Sequence, residues 1–201
     1  MNEQEYVSFD LFPTLVIKFP KILNDLEIEK IFKKLKTKEC VPDNQLIRGR
    51  SSDVFPQHLL RNLGIQKKIQ EKLDIYTDRI GILPVRFGNS WFAIQDIGGI
   101  LKQHYHGGSI LSGSLFINVD ENSTPIVFDN PNPFNNFLFH AGVQEKLTHY
   151  TYNTYEFAPN NGDLIIFPSS LVHGSSYRPN QTKDRMIISF NTYHPDIFKS
   201  S

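Results

Sequence analysis

The sequence predicts a mainly β fold of the α+β class, a sandwich or barrel braced by two N-terminal helices. Three observations predict it. After about residue 82 the chain becomes a series of short runs rich in Val, Ile, Phe and Tyr, punctuated by Gly, Asn and Pro. Ahead of them, two stretches carry apolar residues at helical spacing. The 201 residues contain no internal repeat and no linker, so residues 1–201 read as a single domain.

Taken in order, "SFDLFPTLVIKF" (8–19) is a first strand candidate, dense in branched and aromatic residues. The stretch 24–38, "NDLEIEKIFKKLKTK", places Leu26, Ile28, Ile31, Phe32 and Leu35 on one helical face, with Asn24 or Asp25 as N-cap. A second helix runs from near Pro56 to Tyr76 through Leu59, Leu60, Leu63, Ile69 and Leu73, with Gly64 as a break point. This N-terminal part, about 8–77, precedes a β core over about 84–194. Its strand candidates are 84–96, 99–107, 109–120, 124–130, 151–159, 162–169 and 184–194. Residues 130–150, "NPNPFNNFLFHAGVQEKLTHY", are rich in Asn and Pro and read as a long loop of the kind that forms lids.

Composition excludes several classes of function. Lys plus Arg and Asp plus Glu balance at 21 each, so the basic excess of a nucleic-acid binder is missing. Cys40 is the single cysteine, which leaves neither a disulfide framework nor a Cys-rich zinc cluster. No apolar run approaches the roughly 18 residues of a membrane span, and the first residues lack the pattern of a signal peptide. The expectation is a cytoplasmic protein without nucleic-acid or membrane partners; a homodimer is left open.

The chemistry begins at His104 and His106. Side chains at i and i+2 of a strand share a face, and neutral imidazole is a common transition-metal ligand. A solvent-facing pair is the alternative. His173 follows the strand "GDLIIFP", which delivers a turn and then an imidazole to the mouth of the barrel. His140 and His149 lie in the 130–150 loop and are weaker ligand candidates. Twelve residues after His173 stands Arg185, at the start of "RMIISFNTY". Alternation puts Arg185, Ile187, Ser189 and Asn191 on one face and Met186, Ile188 and Phe190 on the other, apolar one. An inward Arg suits a carboxylate, which it grips with two parallel hydrogen bonds. Pairing with a surface acid such as Asp184 is the competing role. At about 3.3 Å per residue, Ser189 and Asn191 lie roughly 13 and 20 Å beyond Arg185, so the three cannot share one small ligand.

Together these motifs, H-x-H, then "GDLIIFP", a distal His and a following Arg, resemble the Fe(II)- and 2-oxoglutarate-dependent dioxygenases. More closely, "HYHGGSILSG" (104–113) is similar to the H-x-H-x-x-S-x-x-S-G core of an oxygenase branch common in marine microbes and their phages. The flanking "SWFAIQDIGGILKQHYH", "GDLIIFPSSLVHG" and "RMIISFN", and Leu11-Phe12-Pro13, also match that branch. The resemblance implies a double-stranded β-helix, or jelly roll, with the two helices packed on its outside. It implies that His104, His106 and His173 hold Fe(II) and that Arg185 binds the distal carboxylate of the co-substrate 2-oxoglutarate. It further implies hydroxylation of a peptide or small-molecule substrate, with release of succinate and CO2.

The departure from the usual pattern of the superfamily is His106, which stands where a carboxylate is expected. Fe(II), one carboxylate and dianionic 2-oxoglutarate carry one net negative charge; three histidines leave that assembly neutral and favour Fe(II) over Fe(III). Asp120 or Asp129 is a candidate for the missing charge, whereas Asp163 suits a turn at a strand entry. Two other readings use the same residues. One is a cupin-like three-histidine metalloenzyme that does not use 2-oxoglutarate. The other is a non-catalytic β-sandwich binding protein.

Overall fold

The computed structural model describes residues 12–53, 58–175 and 177–194. The first strand candidate narrows to β1 (Ile17–Phe19); its residues 8–11, including Leu11 of the Leu-Phe-Pro motif, lie outside the described residues. The helix α1 (Asp25–Lys36) starts where the sequence places it. The Asn24 side chain accepts the Glu27 amide at 2.9 Å, and the Glu27 carboxylate accepts the Asn24 amide at 3.0 Å. This reciprocal cap satisfies two amides of the first turn. Lys33, Lys34 and Lys36 close the last turn, favourable against the helix dipole.

The expected second helix is two: α2 (Leu59–Asn62) and α3 (Gln66–Ile80). They are broken at Gly64, whose φ of +74° only glycine adopts freely. Pro56, its expected start, lies outside the described residues.

Between the helical pieces and after them run β2 (Val41–Pro42), β3 (Leu46–Ser51), β4 (Arg86–Leu101), β5 (Leu111–Asn118) and β6 (Ile126–Asp129). Next comes α4 (Pro133–Ala141), a helix where a loop is expected, followed by β7 (Thr154–Phe157), β8 (Leu164–Pro168), β9 (His173–Ser175) and β10 (Arg185–Tyr193). The seven-stranded sheet has the order β1-β8-β5-β10-β4-β3-β2 and the smaller sheet the order β7-β6-β9, with every pairing antiparallel. Strands 84–96 and 99–107 merge into β4, which ends at Leu101.

The two faces of each central strand meet different layers, so β8 is apolar on both, whereas β5 and β10 are apolar toward the helices and carry polar residues toward the cavity. Leu115 and Ile117 of β5, Leu164 and Ile166 of β8, and Met186, Ile188 and Phe190 of β10 face the helices, where Ile28, Ile31, Leu35, Ile69 and Leu73 cover them. Phe116, Ile165 and Phe167 face the small sheet and meet Ile126 and Phe128. The helices therefore pack on the outside of the large sheet, and the space between the two sheets is left for the site. Asp163 braces the entry to β8, accepting the Asn160 amide at 2.9 Å, the Lys21 amide at 3.1 Å and the Lys18 ammonium at 3.0 Å. The structural role expected of it is the role it has.

Candidate active site

His104 and His106 follow β4 rather than lying within a strand, so strand alternation is not what brings them together. His104 makes one isolated antiparallel bridge to His173: each backbone amide donates to the other's carbonyl at 2.9 Å. The His106 amide donates to the Ser169 carbonyl at 2.8 Å. These bonds stitch the segment after β4 to the β8–β9 turn. Three imidazoles converge as a result. Their ring centroids are 4.4 to 5.1 Å apart, and one nitrogen from each lies within 4.8 Å of the others.

The hydrogen bonds select the protonation pattern. His104 Nδ1 faces the Lys102 carbonyl at 2.8 Å and His173 Nδ1 faces the Leu171 carbonyl at 2.9 Å. A carbonyl only accepts, so both Nδ1 atoms carry the proton and both Nε2 lone pairs are free. His106 Nδ1 meets the Asn191 side-chain oxygen and, at 2.9 Å, Ser112 Oγ. His173 is buried between Phe167 and Phe128. Burial, aided by repulsion from His104 and His106, pushes its pKa down to about 3. Burial also lowers that of His106. Neutral imidazoles with free Nε2 atoms are the form that binds a metal.

Arg185 opens β10 opposite Gln95 of β4 and is 3% exposed. Its guanidinium donates to the Gln95 side-chain oxygen and, at 2.9 Å, to the Thr124 carbonyl; its Nε has no partner. No ion pair of Arg185 occurs among the described residues, and burial pushes its pKa down to about 9. Asp184, the surface acid of the competing reading, pairs instead with Lys36 at 2.9 Å. A buried guanidinium without a counter-charge is costly, and an incoming carboxylate relieves that cost. Arg185 and all three histidines line one cavity of about 430 Å³, with Trp91 and Tyr105 also in its wall.

The other candidates fall outside. His140 and His149 are exposed and take no part in the cluster. Asp120 is engaged by the Asn122 amide at 2.8 Å and by the Thr182 hydroxyl, and neither it nor Asp129 joins the three imidazoles. Sequence reasoning passed over Gln95 and Ser112, and set Asn191 aside as too far from Arg185 to share its ligand. The signal for the last two was present: Asn191 shares the inward face of Arg185, and Ser112 is the second serine of "HYHGGSILSG".

A family model described as "Putative 2OG-Fe(II) oxygenase" matches residues 89–191, more than half of the chain. The chain belongs to this family. It is therefore an oxygenase of the iron- and 2-oxoglutarate-dependent class, and the convergent imidazoles and the buried Arg185 guanidinium with its unsatisfied Nε are a donor set that fits both groups. A search of curated proteins finds no match. Among solved structures, HygX from Streptomyces hygroscopicus, with nickel, 2-oxoglutarate and hygromycin B bound, superposes with a TM-score of 0.65 at 14% identity, covering 91% of this chain and 83% of that one. Viral collagen prolyl hydroxylase from Paramecium Bursaria Chlorella virus-1, in complex with 2-oxoglutarate, gives 0.59 at 14% identity over 88% and 94%. A Pseudomonas putida prolyl-4-hydroxylase gives 0.56 at 11% identity over 90% and 94%. At these identities the likeness is one of fold, and the expected double-stranded β-helix is the fold of this oxygenase. Among the described residues, no helix is long and apolar enough to cross a membrane.

Proposed function

We propose that His104, His106 and His173 hold Fe(II), that Arg185 binds the distal carboxylate of 2-oxoglutarate, and that the oxygenase hydroxylates a peptide or small molecule held at the outer wall of the same cavity. The single observation that carries this reading is the lining of one cavity by three converging imidazoles and a buried guanidinium with an orphaned Nε. Bound together, Fe(II) and 2-oxoglutarate supply the oxidising equivalents from O2 that hydroxylate a C–H bond, with release of succinate and CO2.

The chain's own residues do the positioning. Arg185 neutralises the distal carboxylate, and Gln95 and Thr124 aim its fork. Phe116 lies against the guanidinium, 6.0 Å from ring centre to Cζ, and helps to keep water from that end. Trp91 and Tyr105 offer aromatic faces to a substrate. The whole chain works as one domain in this reading, supported by an apolar cluster that joins Leu23 of the helical part to Phe190 of the last strand. The balanced composition supports a cytoplasmic enzyme without nucleic-acid partners.

The test is an anaerobic titration of 2-oxoglutarate into the Fe(II)-loaded protein, followed by its visible charge-transfer band. A saturable band that Arg185→Ala abolishes is the expected result. Iron binding without a band favours a three-histidine enzyme that does not use 2-oxoglutarate, and absence of iron binding favours a binding protein.

A further inference from the structure

His104 and His173 are oriented by the same local device, a backbone carbonyl two residues upstream that accepts the Nδ1 proton. His106 has no such carbonyl. Its Nδ1 is met by a side chain 85 residues away in sequence, Asn191 of β10, and by Ser112 of β5. The Asn191 oxygen also accepts the Ser112 hydroxyl at 2.7 Å, and Ser112 Oγ lies 2.8 Å from Ser169 Oγ. Asn191 is the register partner of Ser112 across β10 and β5, which sets the two side chains side by side.

We infer that Asn191 is a positioning residue that makes His106 a metal ligand, by accepting its Nδ1 proton and so turning its Nε2 lone pair toward His104 and His173. This rests on the three-histidine reading above. Imidazole has two tautomers and two ring flips, and one combination alone offers Nε2 to the metal while Nδ1 donates. A carboxylate at position 106 would need no such partner, because either of its oxygens can ligate. Histidine there makes the acceptor on β10 necessary. The network that holds the acceptor, through Ser112 and Ser169, joins β5, β8 and β10 at the point where the three strands meet the site.

The test measures anaerobic Fe(II) binding to the full chain by calorimetry, with the visible spectrum of the Co(II) form as a second readout of ligand geometry. Asn191→Ala is expected to weaken Fe(II) binding by about 10- to 100-fold and to alter the Co(II) spectrum. Asn191→Ser, too short to reach the ring, gives the same loss and keeps the comparison available if the alanine variant does not fold. Asn191→Asp preserves the acceptor and retains most of the affinity. In a His106→Asp background there is no Nδ1 to hold, so adding Asn191→Ala changes nothing further. Undiminished Fe(II) binding by Asn191→Ala, while His104→Ala loses the metal, overturns the inference and leaves the three-histidine reading standing. An equal loss in the His106→Asp background also overturns it, because the effect then does not pass through His106. Retention of iron by His104→Ala overturns the three-histidine reading itself and the inference with it.

Discussion

His104 and His173 hydrogen-bond to each other through both backbone amides, at 2.9 Å each, and this one bridge ties the segment after the long β4 strand to the three-residue β9 strand of the small sheet. The two histidines, both proposed as metal ligands, are thereby fixed to one another by the backbone alone. The β9 strand pairs with β6 along its three residues, but this single backbone bridge is what ties its other edge to the segment after β4; a tie of that size opens locally at low cost, and a ligand spanning it closes that route.

Metal binding is therefore expected to stabilise the whole domain and to protect the 102–106 and 169–175 segments most. At a hundredfold excess of free metal over its dissociation constant, mass action contributes about 2.7 kcal/mol. For a domain of this size that raises the melting temperature by roughly 5–10 °C. Anaerobic calorimetry with and without Fe(II) reads the first effect, and hydrogen exchange reads the second. Unchanged exchange of the His104 and His173 amides on loading would show that the bridge is not coupled to the metal.

Gln95 decides whether Arg185 waits for a ligand. Its neutral side chain accepts one guanidinium N–H and leaves the positive charge uncompensated. Replacing it by Glu supplies an internal counter-charge at nearly the same shape, so Gln95→Glu should preserve or raise stability while weakening 2-oxoglutarate binding by about 10- to 100-fold, the worth of a charge-assisted pair. Titration of 2-oxoglutarate into the metal-loaded variant measures this. Unaltered affinity would mean that the co-substrate does not contact Arg185.

The metal-free protein should lose stability as the pH falls below about 6.5. His173 and His106 have pKa values lowered in the folded state, by burial first. The unfolded chain therefore binds protons from about pH 6.5 downward that the folded one refuses, and the folded state loses up to about 1.4 kcal/mol per pH unit for each such histidine. For His173 this continues to about pH 3. Carboxylates held low by partners, such as Glu27 with Lys68 and Asp184 with Lys36, add their own loss at lower pH. Between pH 6.5 and 5 the histidines dominate. Melting temperatures of the parent and of His173→Leu across that range check the assignment, since the variant's profile should be flatter.

Gly113, the last of the three glycines in "HYHGGSILSG", serves packing rather than chemistry. A Cβ there would lie 2.3 Å from the Phe190 ring, which sits on the neighbouring strand directly opposite it. Phe190 is pinned in turn against Phe87, with ring centroids 5.4 Å apart. Gly113→Ala should cost about 1–3 kcal/mol, the usual range for overpacking. Chemical denaturation measures it, and Phe190→Leu in the same chain should recover part of the loss.

Much of this was legible in the sequence where one physical rule dominated. The alternation in β10 separated Arg185 and Asn191 from Met186, Ile188 and Phe190, because one face meets the cavity and the other the helical layer. The helix α1 announced itself by its cap and its apolar stripe. The helix α4 did not, although Asn132 caps it, Pro133 opens it and Gly142 closes it at a φ of +65°. Its buried contact is polar: Asn135 donates to the Tyr150 carbonyl at 2.7 Å, while Phe134, Phe137 and Phe139 are exposed. Hydrophobic periodicity looks for an apolar buried face, and here there is none. The strand β3 hid for a related reason, since Arg48 with a φ of +50° and a register shift interrupt its alternation. The tie between His106 and Asn191 spans 85 residues, and no local spacing encodes it.

The segment that carries α4 leaves and re-enters the small sheet at one place. Asp129 and Thr154 are register partners across β6 and β7, and just beyond them the Asn130 amide donates to the Asn153 carbonyl at 2.8 Å. The chain between them is a closed excursion whose two ends are already joined, and none of its residues belongs to the imidazole cluster or contacts Arg185. It is thus an exchangeable cassette: shortened to a tight hairpin or replaced by a foreign loop, it alters the rim of the molecule and leaves the three imidazoles and Arg185 where they are.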